Sequence, residues 1–225
     1  MHPHPAPLPA AAEAFILAGG SSSRFGSPKS QAILAGQPLI VHALHLIRAV
    51  GLSARIAGVH PSTTSASLAS HAPVIADVHP GLGPLSGVHA ALVASSSEWN
   101  LIHPIDLPLI PPALLDCLLR RASLTLAPVT CLRVNGLLQP FPVVVHRSVL
   151  PSVTAALSGS ASCFRLWQSF DALDAPRIEL LLQAAQIPVD ILPPALWFRS
   201  VNTPADLTFV RHSFDLRARS LTLEA

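Results

Sequence analysis

Apolar positions along the chain alternate between short continuous runs and spaced faces. Ala14 to Ala18 is a run that predicts a first strand. Ile40, Ala43, Leu44 and Ile47 then recur at i, i+3, i+4 and i+7, the spacing of one helical face. Pro38 sits where a first helical turn tolerates it, and Gly51 closes the end. Arg55 to Val59 and the segment "APVIAD" predict two further short strands. In "GPLSGVHAALVASSS", Leu85, Val88 and Leu92 share a helical face, with Pro84 near its start. "WNLIHPID" predicts a buried strand ending in a carboxylate. "PPALLDCLLRR" predicts a helix opened by proline and closed by arginines, as the helix dipole favours.

From Thr125 the pattern changes. "TLAPVTCLRVNGLLQPFPVVVHRS" predicts two strands joined through Asn135-Gly136, a strong hairpin signal. A helix from about Ser148 to Leu157 follows. Residues 159–186 carry no readable period. A strand is predicted near Ile187 to Leu192, and a helix starting at Pro204, capped by Asn202 or Thr203. Strands alternating with helices imply an α/β fold: a largely parallel sheet covered on both faces, with an antiparallel element late in the chain. There is no internal repeat and no clean linker. A loose, Pro- and Ala-rich arm over residues 1–13 and one domain over 14–225 are expected.

Composition narrows the classes. Half of the 225 residues are hydrophobic, 12% are charged and the net charge is +2, so no polyanion-binding field is implied and nucleic acid is not an expected partner. No apolar stretch is long enough to span a bilayer, because Pro, His, Asp or Arg interrupts each one. The first residues lack the basic and apolar regions of a secretory signal. Cys117, Cys131 and Cys163 form no C-x-x-C pair and are expected as buried free thiols in a reducing cytoplasm. The 11 histidines are scattered, without metal-ligand spacing.

Against this sparse charge, "FILAGGSSSRFGSPK" places two cations in one loop at a strand end. Ligands of open α/β sheets bind beyond the carboxyl ends of the strands. Gly19 and Gly20 allow a tight turn and close backbone approach. Exposed N–H groups suit phosphate oxygens, and Ser21 to Ser23 add hydroxyls. Arg24 offers a planar fork and Lys29 a mobile point charge. Together these describe a polyphosphate cradle, although a solvated surface loop has the same composition. The string is neither a P-loop nor G-x-G-x-x-G. Three other pieces bear on it. Asp77, followed by the bare backbone around Gly83 and Pro84, is placed to reach a nucleoside hydroxyl, or else belongs to a helix-entry turn. Asp106 ends an apolar strand and suits Mg²⁺, a hard cation, or else caps a helix. Asn202 would complete that metal site, or else is a cap.

In this order the pieces resemble the molybdenum cofactor guanylyltransferase family, smaller relatives of sugar-nucleotide pyrophosphorylases. The family's L-A-G-G-x-S-x-R-[MF]-G-x-x-K stands as Leu17-Ala18-Gly19-Gly20, Ser22, Arg24, Phe25-Gly26 and Lys29. Its G-P-L-x-G is Gly83 to Gly87, its D-x-P is Asp106 to Pro108, its Q-P element is Gln139-Pro140, and its N-T-P-x-D-L is Asn202 to Leu207. Ser200 stands where the family often has a second asparagine. The resemblance implies a Rossmann-like, GT-A-like three-layer nucleotidyltransferase with a mostly parallel mixed sheet. It implies GTP and molybdopterin or molybdenum cofactor as substrates, Mg²⁺ as cofactor, and an apo-molybdoenzyme or its chaperone as a further partner. Nucleotide contacts would come from Leu17, Ala18, Gly19, Gly20, Ser22, Lys29, Asp77, Gly83, Pro84 and Asp106. Arg24, Lys29 and Asp106 would be catalytic, with Asp106 and Asn202 on the metal. A cytidylyltransferase on the same pterin, another small-molecule nucleotidyltransferase, and a silent nucleotide-binding adaptor are the alternatives.

Overall fold

The computed structural model describes residues 12–19, 28–59, 65–159, 162–167, 171–174 and 192–223. The strands are β1 (Ala12–Leu17), β2 (Ile33–Leu34), β3 (Gln37–Pro38), β4 (Ala54–Val59), β5 (Val74–Ala76), β6 (Trp99–Pro104), β7 (Val129–Val134), β8 (Leu137–His146) and β9 (Asp171–Asp174). Among the described residues the helices are α1 (Leu39–Ala49), α2 (Ser65–Ala69), α3 (Pro84–Ala94), α4 (Pro112–Thr125), α5 (Leu150–Ser158), α6 (Cys163–Trp167), α7 (Pro194–Trp197) and α8 (Pro204–Leu223).

Seven strands make one sheet in the order β5-β4-β1-β6-β8-β7-β9, and β2 pairs with β3 apart from it. Only β8 runs against its neighbours; the other pairings are parallel. The chain leaves β1 toward β4 and β5, then returns to the other flank of β1 with β6. Such a reversal opens a crevice at the carboxyl ends of the strands beside β1.

Alternation along the central strands sends side chains into two cores. Ala14, Ile16, Ile56 and Leu101 pack on one face with Ile40, Ala43 and Leu44 of α1, Leu114 and Leu118 of α4, Trp197 of α7 and Val210 of α8. Phe15, Leu17, Ala57 and Ile102 pack on the other with Leu85 and Val88 of α3, Val153 and Leu157 of α5 and Trp167 of α6. The result is the expected three-layer arrangement, and it explains why Ala14 to Leu17 of β1 and Leu101-Ile102 of β6 are apolar on both faces.

The Asn135-Gly136 turn behaves as its sequence predicts. Both residues have positive φ, 50° and 76°, and the two strands close antiparallel around them. Differences from expectation have local causes. β1 begins at Ala12 rather than Ala14, because Glu13 lies in the strand and its carboxylate takes Arg55 at 2.5 Å and the Ser96 N–H at 2.9 Å. The β2–β3 hairpin was not foreseen: its turn residues Ala35 and Gly36 have φ of 45° and 81°, and alanine gives no hint of that conformation. β9, a four-residue strand in the unreadable stretch, also escaped. α5 is preceded by a 3₁₀ turn, Arg147–Val149. Cys131 and Cys163 are buried as expected, but Cys117 is only half-buried. The strand expected near 187–192 lies, but for Leu192, outside the described residues.

What fixes the crevice is backbone contact. A Cβ on Gly19, just past β1, would fall 1.8 Å from the Gly58 carbonyl oxygen. A Cβ on Gly87 of α3 would meet Leu17 Cδ2 at 2.9 Å and Gly58 Cα at 3.1 Å. Gly58 itself has φ of +74°, which a side chain would strain. The ends of β1 and β4 and the first turn of α3 therefore meet main chain to main chain. Gly19→Ala and Gly87→Ala are expected to destabilise by about 1–3 kcal/mol through overpacking. Gly159→Ala, where the new Cβ has ordinary contacts at 3.7 Å or more, should stay within about 0.5 kcal/mol of wild type. Urea unfolding midpoints distinguish the two cases.

Candidate active site

Parallel pairing puts the ends of β5, β4, β1 and β6 along one rim. At the end of β1, the Leu17 carbonyl accepts from the Ile105 N–H at 3.0 Å, and the Ala18 N–H donates to Ala57 at 3.1 Å. These bonds carry the sheet one residue past the strand and leave Gly19 exposed at the lip. Gly20, Ser22 and Arg24 lie outside the described residues. The described chain resumes at Pro28, and Lys29 opens a 3₁₀ turn, Lys29–Gln31.

Lys29 reaches back to the rim. Its Nζ donates to Asn202 Oδ1 at 2.5 Å and lies 3.5 Å from Asp106 Oδ2. Two oxygens, brought from 96 positions apart in the sequence, thus converge on one cation. The Val201 N–H donates to the Asp106 carbonyl at 2.9 Å, so backbone also ties the closing motif to the β6 end.

Neither Asp106 nor Asn202 caps a helix through its side chain. Helix α4 starts at Pro112 with Pro111 as its N-cap, so Asp106 caps nothing. At α8 the cap is Thr203: its Oγ1 accepts from the Asp206 N–H at 3.2 Å, and Asp206 Oδ2 accepts from the Thr203 N–H at 3.0 Å. That reciprocal box releases the Asn202 side chain for the site. Ser200, which sequence reasoning noted only as a departure, fixes the amide: Asn202 Nδ2 donates to Ser200 Oγ at 2.5 Å, which turns Oδ1 toward Lys29.

Burial pushes the Asp106 carboxyl above its ordinary range, and the nearby Lys29 ammonium offsets this only in part. A poorly solvated carboxylate facing one ammonium remains hungry for positive charge. His103, three residues earlier on β6, adds none: burial pushes its imidazole down to about 3, so the ring is neutral.

The second group of side chains sits across the rim. Asp77 follows β5, and its N–H donates to the Val59 carbonyl at 3.2 Å. Its Oδ1 accepts from the His79 N–H at 3.0 Å and from the Ser86 hydroxyl of α3. Gly83 precedes α3 with φ of +74°, and Pro84 is its first residue. Strands β5 and β6 are three positions apart in the sheet, about 14 Å at ordinary strand spacing. Asp77 and Asp106 therefore stand at opposite ends of the crevice, with the glycine contact between them. The Ser86–Asp77 bond was missed in the sequence, because x in G-P-L-x-G gives no sign of its direction.

A rim with one carboxylate–lysine–amide cluster at one end and a hydrogen-bonded aspartate at the other suits a long, charged, polar ligand. Comparison with known proteins decides which class. Residues 14–173 match the family model of the MobA-like NTP transferase domain. The chain belongs to the MobA-like NTP transferase family.

The chain is 31% identical over 197 residues to a probable molybdenum cofactor guanylyltransferase of Deinococcus radiodurans, covering 86% of this chain and 91% of that protein. It is 29% identical over 194 residues to the molybdenum cofactor guanylyltransferase of Xanthomonas euvesicatoria pv. vesicatoria, covering 85% and 95%. Among solved structures, molybdopterin-guanine dinucleotide biosynthesis protein A from Archaeoglobus fulgidus superposes with a TM-score of 0.72 at 20% identity, over 90% of this chain and 98% of that one. That likeness shows the Rossmann-like nucleotidyltransferase fold. This MobA-like transferase is thus a nucleotidyltransferase, an enzyme type that generally uses a divalent metal. No helix among the described residues is long and apolar enough to cross a membrane.

The raised carboxyl of Asp106 has a consequence for stability. Its folded-state proton affinity exceeds the unfolded one, so stability falls as pH rises through the range where the unfolded carboxyl ionises, and stays lower above it. Without ligand, Asp106→Asn of this MobA-like protein should melt at or above the wild-type midpoint at pH 7, with a flatter acid-to-neutral profile. A clearly lower midpoint by calorimetry would mean that the pairing with Lys29 outweighs burial.

Proposed function

We propose that the chain transfers GMP from GTP to the terminal phosphate of molybdopterin or molybdenum cofactor, with release of pyrophosphate. The observation that carries this reading is the convergence of Lys29, Asp106 and Asn202 on the rim of the sheet. Names of relatives over most of the chain support the choice of nucleotide and acceptor.

An oxygen of the acceptor phosphate attacks the α-phosphorus of GTP. The new P–O bond forms as the bond from the α-phosphorus to the bridging oxygen breaks, and that electron pair leaves with pyrophosphate. No covalent protein intermediate is needed, and the protein's work is positioning and charge stabilisation. Leu17, Ala18, Gly19, Gly20 and Ser22 line the nucleotide, and Arg24 and Lys29 receive phosphate charge. At the other end of the crevice Asp77, with the bare turn at Gly83 and Pro84, takes the nucleoside.

The residues fit a divalent cation. The Asp106 and Asn202 oxygens already converge on a positive group, and a single half-buried carboxylate suits Mg²⁺, which keeps much of its shell as water and substrate phosphate. When bound, Mg²⁺ supplies neutralisation of phosphate charge at Asp106 and Asn202. Lys29 then serves the phosphates rather than the carboxylate. The product would pass to an apo-molybdoenzyme or its chaperone in the cytoplasm.

Purified protein with Mg²⁺, molybdopterin and labelled GTP or CTP tests this directly. Guanylylated pterin and pyrophosphate are expected from GTP, and turnover with CTP alone would move the protein to the cytidylyltransferases. Nucleotide binding without turnover would make it an adaptor. Lys29→Ala should lower kcat by about 10²–10³, the usual effect of removing one preorganised charge-stabilising group. Wild-type turnover from a folded Lys29→Ala protein would remove the residue from catalysis.

A further inference from the structure

Ser86 lies in the first turn of α3 and is 1% exposed. Its hydroxyl contacts Asp77 Oδ1 and lies 2.7 Å from the His79 carbonyl oxygen. The His79 N–H donates to the same Oδ1 at 3.0 Å. One carboxylate oxygen of Asp77 is thus engaged twice from the protein side, while Oδ2 has no hydrogen-bond partner among the described residues. A serine hydroxyl carries a single hydrogen, and an ionised carboxylate is a stronger acceptor than a carbonyl. That hydrogen therefore goes to Asp77. The turn holding His79 is braced as well, its ring packing edge-on against His89 of α3 at 5.1 Å.

The helix can deliver this hydroxyl because the next residue is Gly87. A side chain there would strike Leu17 and Gly58 and push the first turn of α3 away from the sheet. Backbone contact at Gly87 and the Ser86–Asp77 bond are two outcomes of one close approach.

We infer that Ser86 is a positioning residue for nucleotide recognition: it pins Oδ1 of Asp77 so that Oδ2 is presented, already oriented, to a hydroxyl of the nucleoside. This deepens the functional reading above and rests on its placement of the nucleoside at Asp77. Loss of the hydroxyl leaves Oδ1 held by the His79 N–H alone, so the carboxylate is less firmly oriented and part of its ordering must be met at binding. Ordering one side chain at binding corresponds to a change in affinity of up to about tenfold.

GTP binding to the full chain is measured by calorimetry for wild type, Asp77→Ala, Ser86→Ala and the double variant, alongside steady-state kinetics and melting. Ser86→Ala should weaken GTP binding by up to about tenfold, with the loss in the Kd and KM for GTP rather than in kcat or the acceptor's KM. Ser86→Cys, close in size and a weak donor, should behave like alanine, and Ser86→Thr should recover affinity. Because Ser86 acts through Asp77, its removal should cost nothing further in the Asp77→Ala background. Additive losses in the double variant overturn the inference, as does wild-type GTP affinity in folded Ser86→Ala and Ser86→Cys while Asp77→Ala is weakened. Wild-type affinity in Asp77→Ala overturns the nucleoside contact itself, and the inference with it. The Lys29 and product assays still decide the transferase reading separately.

Discussion

Main chain touches main chain where β1, β4 and α3 meet, and the site depends on that contact. A Cβ on Gly19 or Gly87 would clash at this contact, and Gly58 holds a positive φ that a side chain would strain. Their approach brings the first turn of α3 down on the strand ends, keeps the lip of β1 bare, and carries Ser86 to Asp77. A side chain at Gly19 or Gly87 would act as a wedge where the strand ends and α3 meet. The glycines therefore serve packing, and on the proposed function they serve recognition as well.

At the opposite end of the crevice the constraint is electrostatic. A half-buried carboxylate above its ordinary proton affinity, an ammonium and an amide oxygen are held together by elements far apart in sequence. Each is poorly placed alone and better placed together, as charge in a low-dielectric rim requires. Burial raises the Asp106 carboxyl and the Lys29 ammonium lowers it, with burial the larger effect. On the proposed function the two ends divide the work: hydrogen-bonded orientation at Asp77, charge at Asp106.

Much of the scaffold was legible because it follows from local rules. The helical face of α1, the proline openings of α3 and α4 and the Asn135-Gly136 turn all appear in the structure as their spacing predicts. The elements that escaped lacked a local signature. Ala35 adopts positive φ only because the β2–β3 hairpin closes around it. β9 has four residues and earns its place by pairing with β7. Ser86, a small polar residue in a helical turn, reads as surface until the helix is docked.

By itself the sequence determined the alternation of strands and helices, the two-faced core and the residue types that gather at strand ends, because periodicity and turn chemistry act over a few residues. It also set which glycines, carboxylates and cations were available. Tertiary structure alone decided which of two local roles each one took. Thr203 became the cap and Asn202 was released to Lys29; Asp106 was left uncapping and half-desolvated; Asp77 acquired a partner from α3. The Thr203–Asp206 box is local, but Lys29 meets Asp106 and Asn202 from 77 and 173 residues away, and Asp77 meets Ser86 only because α3 docks on the strand ends; only the folded sheet brings such groups within hydrogen-bond reach.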